Sequence, residues 1–153
     1  MTLRPIAPSD FELVCHHRES MFRDMGREEA TLEAMREPFR VWLRPRIDDG
    51  SYFGFVAEDD GESVAGVGLL AIDWPPHSIH PALDRRGYVL NVYVEPTYRR
   101  QGIARKLMER AEEELRARGL TFAVLHAADA ARPLYESMGW TATAEMSKRL
   151  TID

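Results

Sequence analysis

The chain has a single cysteine, Cys15, among 153 residues. It therefore cannot close an intrachain disulfide or build a Cys-based metal cluster. Such poverty in cysteine suits a reducing compartment, and a cytoplasmic location is the expectation. No apolar run approaches the ~18 residues that a bilayer span needs. The opening Met1-Thr2-Leu3-Arg4-Pro5 lacks the basic start and apolar stretch of a secretion signal. No membrane partner is expected. Positive charge is not in excess either: the formal net charge is −5, which argues against nucleic acid as a partner. No G-x-G-x-x-G fingerprint and no Gly-Lys-Ser/Thr phosphate loop occurs. Internal repeats, low-complexity tracts and linkers are also missing, so one domain over residues 1–153 is expected.

What is present is an ordinary globular balance, with 44% hydrophobic and 29% charged residues. Leu3–Ile6 reads as a short strand, and Ser9 with Glu12 three residues on reads as a capping box. Phe11, Val14, Cys15, Arg18 and Phe22 then follow helical spacing. A second helix is predicted from about Glu28 to Leu43, interrupted at Pro38 and stopped by Pro45. Ser51–Ala57 and Ser63–Ile72 form a hairpin candidate around Glu58-Asp59-Asp60-Gly61-Glu62. A loop rich in proline and histidine follows, and Tyr88–Val94 reads as a strand buried on both faces. Ile103, Leu107, Ala111 and Leu115 recur every four residues opposite a charged face, a strong amphipathic helix ended by Gly119. Phe122–Leu125 is a further strand and Ala130–Met138 a helix stopped by Gly139. Ala144–Ile152 alternates and is predicted as a closing strand. The stretch from Tyr88 to Leu125 is a βαβ crossover, so an antiparallel meander leads into a parallel pair within one mixed sheet.

The join between the buried strand and the amphipathic helix carries the chemistry: Arg99-Arg100-Gln101-Gly102-Ile103-Ala104. A helix N-terminus presents unpaired N–H groups and partial positive charge, a ready site for phosphate. Gly102 and Ala104 keep the approach slim, and Arg99, Arg100 and Arg105 add formal charge. One glycine among arginines is also what a tight turn on a solvated surface looks like. A locally basic stretch in an acidic protein points to a small anionic ligand.

Val92-Tyr93-Val94-Glu95-Pro96-Thr97-Tyr98-Arg99-Arg100-Gln101-Gly102-Ile103-Ala104 resembles the acyl-CoA motif of the GNAT superfamily of N-acetyltransferases. Leu134-Tyr135-Glu136-Ser137-Met138-Gly139-Trp140 resembles the second block of that family, and Leu3-Arg4-Pro5-Ile6 its opening strand. The resemblance implies an α/β (α+β) GNAT fold, a mixed twisted sheet flanked by about four helices. It also implies an acyltransferase that moves the acetyl group of acetyl-CoA to a primary amine by direct attack on the thioester. The acceptor would be a small-molecule or peptide amine, and a homodimer is possible. Carried over residue by residue, Val92 and Val94 would pair with the pantetheine arm, and a Val94 N–H could polarise the thioester carbonyl. Arg99, Arg100, Gln101, Gly102, Ile103, Ala104 and Arg105 would wrap the pyrophosphate. Tyr135 falls where the family places the proton donor to the CoA thiolate; otherwise it is one more packing aromatic.

The chain departs from the family pattern at two points. Tyr88 stands where some relatives carry a carboxylate base, which leaves Glu58, His77, His80 or a water held by Asn91 as candidates. Ala128 stands where many relatives have an asparagine against the cofactor, so the last helix is expected either to hold CoA less tightly or to use Asp129 and Arg132 there instead. His77 and His80 at His-x-x-His lack further ligands, so no metal is expected. The acceptor site should come from the first two helices and the loop before the central strand, and Arg18, Met21, Phe22 and Met25 could line it or pack as core. Two alternatives accompany the acetyltransferase reading: a longer acyl-CoA donor, and a catalytically silent acyl-CoA-binding or regulatory module.

Overall fold

A computed structural model describes Met1–Ile152. Within these residues the apolar periods resolve into five strands and four helices: β1 (Thr2–Pro5), α1 (Phe11–Asp24), α2 (Glu29–Asp49), β2 (Phe53–Asp59), β3 (Glu62–Asp73), β4 (Arg85–Val94), α3 (Ile103–Ala117), β5 (Ala123–Leu125) and α4 (Arg132–Ser137). The strands lie side by side in chain order. The first three pairings are antiparallel, and β4 pairs in parallel with β5 through the α3 crossover. This is the mixed sheet with about four helices that the motifs imply.

Each face of the sheet has its own core. On one face α3 buries Ile103, Leu107, Met108, Ala111 and Leu115 against Phe55, Ala65, Val67 and Val89. Burying each large side chain there contributes roughly 1.5–3 kcal/mol. Past the helix end Leu120 donates its N–H to the Leu115 carbonyl at 3.0 Å, closing the turn that Gly119 permits. On the other face α1 and α2 bury Phe11, Val14, Leu43 and Ile47 around Tyr52.

Three expectations are corrected. Helix α2 does not stop before Pro45 but runs through Pro38 and Pro45 to Asp49. An interior proline costs about 3 kcal/mol. Here both prolines lie on the exposed side, as do Ala34 and Val41 four residues before them, so water can reach the carbonyls they leave unpaired. Continuing the helix brings Ile47 into the core beside Leu43. The capping box from Ser9 to Glu12 does not form. Asp10 precedes α1 instead, its carboxylate taking the Ala7 N–H at 2.8 Å and the Arg4 guanidinium at 2.8 and 2.9 Å, while Glu12 turns out to Arg40. The predicted closing strand is not one: residues 144–150 carry no strand pairing, and Met146, Leu150 and Ile152 are exposed. Strand β5 offers only a short outer edge, and ordering each added residue costs about 1–2 kcal/mol. Alternation alone does not recover that cost.

Candidate active site

Strand β4 is the centre of the site because it leaves its neighbour part-way along. It pairs with β5 only from Gly87↔Ala123 to Val89↔Leu125. Opposite Gly66–Gly68 of β3 it carries an extra residue between Leu90 and Tyr93, a bulge in which Asn91 takes a positive φ of 55°. Beyond the bulge, Glu95 donates its N–H to the Val64 carbonyl on β3 at 2.9 Å. By strand alternation, the main-chain groups of Val92 and Val94 point the other way, into the gap where β4 and β5 part. The Val94 carbonyl there accepts the Arg99 Nε at 2.8 Å.

The turn after β4 delivers the N-terminus of α3 beside that gap. Gly102 sits at the helix start with φ 78°, and no side chain caps the helix. The first intrahelical hydrogen bond runs from the Lys106 N–H to the Gly102 carbonyl at 3.2 Å. The N–H groups of Ile103, Ala104 and Arg105 therefore precede the helical ladder. Nothing lies within 4 Å of a Cβ placed on Gly102, so the approach is open. Arg100, Gln101 and Lys106 are exposed around it. Ile103 buries its side chain in the core and can offer only its main chain. Arg105 reaches Ser137 Oγ at 2.6 Å and so ties α3 to α4.

Arg99, expected from the sequence to help wrap a pyrophosphate, directs its guanidinium to the Val94 carbonyl and to Asp24 at 2.6 Å. Asp129 and Arg132 flank the start of α4 on the surface, with Arg132 4.0 Å from Glu136.

Tyr135 projects from α4 into the same apolar cluster as Ile103 and Leu107, its ring 6.5 Å from that of Trp140. Burial pushes its phenol above the ordinary tyrosine range, so the group keeps its proton at neutral pH.

On the side of the sheet that α1 and α2 cover, these two helices form an open cavity of about 230 Å³ between them. Arg18 and Phe22 line it, whereas Met21 and Met25 do not. Arg18 Nη1 donates to Asn91 Oδ1 at 2.8 Å, and Asn91 Nδ2 donates to Tyr52 Oη at 2.9 Å. Both ends of that amide thus already have protein partners. Desolvation lowers the Arg18 pKa, with Tyr52 and Tyr88 acting against it.

The base candidates read from the sequence lie elsewhere. Glu58 pairs with Arg4 at 2.5 Å between β1 and β2. His80 is buried, bonded to the Leu83 carbonyl and to Arg86 at the far end of β4 from Val94. His77 stays on that loop, 3.1 Å from the Ile79 N–H. Sequence reasoning missed His126, one residue past β5, which hydrogen-bonds Tyr88 Oη through Nδ1 and Glu145 through Nε2 at 3.0 Å. Only the β4–β5 register, which sets Tyr88 against Val124, reveals it. A larger groove of about 630 Å³ follows β5, the C-terminal half of α3, α4 and residues 140–147. It is the trough beside the strand edge that the closing segment does not pair with. Among the described residues no cluster of three His, Cys, Asp or Glu side chains could hold a metal ion. No described helix is long and apolar enough to cross a membrane.

A parallel strand pair that parts beside an uncapped helix N-terminus defines a class of acyl-group transferase. The chain matches the acetyltransferase (GNAT) family over residues 14–140 and belongs to that family. It is an acetyltransferase of this family, which uses acetyl-CoA as its donor. A GCN5-related N-acetyltransferase from Ralstonia eutropha JMP134 is 56% identical, with TM-score 0.96 and 97% of each chain covered. A predicted acetyltransferase from Clostridium acetobutylicum, solved with acetyl-CoA, is 25% identical with TM-score 0.88, over 97% of this chain and 95% of that one. A ribosomal-protein-alanine N-acetyltransferase from Brucella melitensis, at 21% identity and TM-score 0.65 over 99% of this chain and 100% of that one, is alike in fold alone.

Proposed function

We propose that this protein transfers the acetyl group of acetyl-CoA to a primary amine of a small molecule or peptide. The observation that carries the reading is the uncapped α3 N-terminus beside the strand-free main chain of Val92 and Val94. The N–H groups of Ile103–Arg105, with Arg100 and Arg105, suit a pyrophosphate. Val92 and Val94 offer main-chain groups to the pantetheine amides, and the Val94 N–H stabilises charge on the thioester oxygen in this reading.

The acceptor amine attacks the thioester carbon, a C–N bond forms and the C–S bond breaks, so no protein nucleophile is required. Two protons move. Tyr135, kept neutral by burial, gives one to the departing thiolate. The ammonium proton leaves through His126, which the Tyr88 hydroxyl and Glu145 hold at the mouth of the gap. This replaces the strand carboxylate that Tyr88 displaces.

Calorimetric titration with acetyl-CoA, against NADH and ATP, tests the reading. Saturable binding of acetyl-CoA alone is expected, with release of free CoA thiol once an amine is added. No binding at high micromolar acetyl-CoA would overturn the donor assignment. Binding without turnover on any amine would leave an acyl-CoA-binding module.

A further inference from the structure

Arg18 is a cation in an unusual position. Its guanidinium lies between the rings of Phe22 on α1 and Phe39 on α2, 5.0 and 4.6 Å from their centroids. Among the described residues no carboxylate comes within ion-pairing distance of it, although Glu12 and Glu19 line the same cavity. Those two acids are taken by Arg40 and Arg36, each at 2.6 Å. Nη1 has only the neutral Asn91 oxygen, and Nε is buried with no hydrogen-bond partner. A guanidinium taken out of water is costly unless an anion or a full set of acceptors meets it. Arg23, Arg36 and Arg40 on α1 and α2 have found carboxylates; Arg18 is held by two aromatic faces at the lining of a cavity.

We propose that Arg18 receives the carboxylate of the acceptor, so that the substrate is a small aminocarboxylate. The inference rests on the acetyl-transfer reading above and names the substrate class of that site. A planar guanidinium matches a planar carboxylate two bonds at a time. Asn91, which holds Arg18, directly precedes Val92 and is three strand residues from Val94, a span of about 10 Å. A carboxylate at Arg18 therefore leaves an amine a few bonds away within reach of a thioester lying along Val92 and Val94. The cavity of about 230 Å³ is small, in keeping with an amino acid rather than a large ring system. Phe22, Phe39 and Met35 provide apolar walls for its carbon chain.

The test is calorimetric binding of matched pairs to the protein, with and without CoA. The pairs are β-alanine, γ-aminobutyrate and L-alanine, each against its own carboxamide. At least one carboxylate is expected to bind about tenfold or more tightly than its carboxamide. Arg18→Met should abolish that preference while leaving acetyl-CoA affinity intact. Equal binding within every pair, binding of no carboxylate, or a preference retained in Arg18→Met overturns the proposal. Should Arg18→Met fail to fold, the wild-type comparison and Arg18→Lys decide, the lysine variant being expected to lose most of the preference because it cannot bind in a bidentate way. Loss of acetyl-CoA binding with carboxylate preference intact would overturn the donor reading alone.

Discussion

At the residue scale the two proposed proton carriers differ in how they could be found. Tyr135 stands in a recognisable run and the fold puts it in the α3-side core, where burial keeps its phenol protonated. Tyr135→Phe is expected to lower kcat by about a hundredfold, in the range of one general acid, with acetyl-CoA affinity nearly unchanged. Undiminished kcat would remove Tyr135 as the donor. His126 belongs to no motif and meets Tyr88 only after the chain has folded. His126→Ala should cost about tenfold or more in kcat/KM and be partly restored by added imidazole. A loss that imidazole does not touch would mean that His126 merely positions Tyr88.

At the scale of elements, the N-terminus of α3 concentrates what the proposed donor site needs. Gly102 holds φ 78° with open space about it, so a larger residue there meets backbone strain and no steric wall. That strain is about 1–2 kcal/mol. Gly102→Glu is therefore expected to fold with a modestly lowered Tm while losing acetyl-CoA affinity by more than about a hundredfold, through bulk and like charge against phosphate. Gly102→Ala carries the strain without the charge and should retain most of the affinity. Equal binding by the glutamate variant would displace the pyrophosphate from this turn. This element was legible because its cause is local: a four-residue period, a glycine and no side chain to cap it. Helix α2 was legible only in part. Its prolines mark a stop, and whether they impose one depends on which side of the helix the core lies.

At the scale of the whole molecule, stability is tied to pH through His17. Packed beneath Tyr93 and against Gly66, where a Cβ would lie 3.0 Å from its Nδ1, this ring is buried with Nε2 unpartnered. Burial first, and the neighbouring His16 second, push its pKa down to about 4. An unfolded histidine titrates near 6.5, so below that pH the unfolded chain binds a proton that the native one refuses. The contribution is fully present above about pH 6.5 and is lost as pH falls through about 4, a change on the order of 3 kcal/mol. Denaturant unfolding at about pH 7 and about pH 4 should show one cooperative transition and this loss, and His17→Gln should flatten it. An unchanged pH slope in that variant would place the acid sensitivity elsewhere, for instance on Asp10. Burial alone would raise the Asp10 pKa, but its bonds to Arg4 and the Ala7 N–H hold it below the ordinary carboxylate range.

The sequence by itself determined what short-range physics controls: the amphipathic α3, the β2–β3 turn at Asp60-Gly61, the βαβ crossover and the uncapped turn at Gly102. Each follows from residues a few positions apart, whose periodicity and turn chemistry act before distant parts of the chain meet. Only the tertiary structure decided which side chains share the site. Arg18 meets Asn91 across 73 residues and Tyr88 meets His126 across 38. Both contacts depend on the register of β4, on its bulge and on the point where it leaves β5. The same holds for Arg99, which turns to Asp24 on α1 because helix and turn are packed side by side. A one-residue shift in the pairing of β4 would send Tyr88 and Asn91 to the other face and break both contacts. That choice is made by burial of the two cores together, which no local run of residues records.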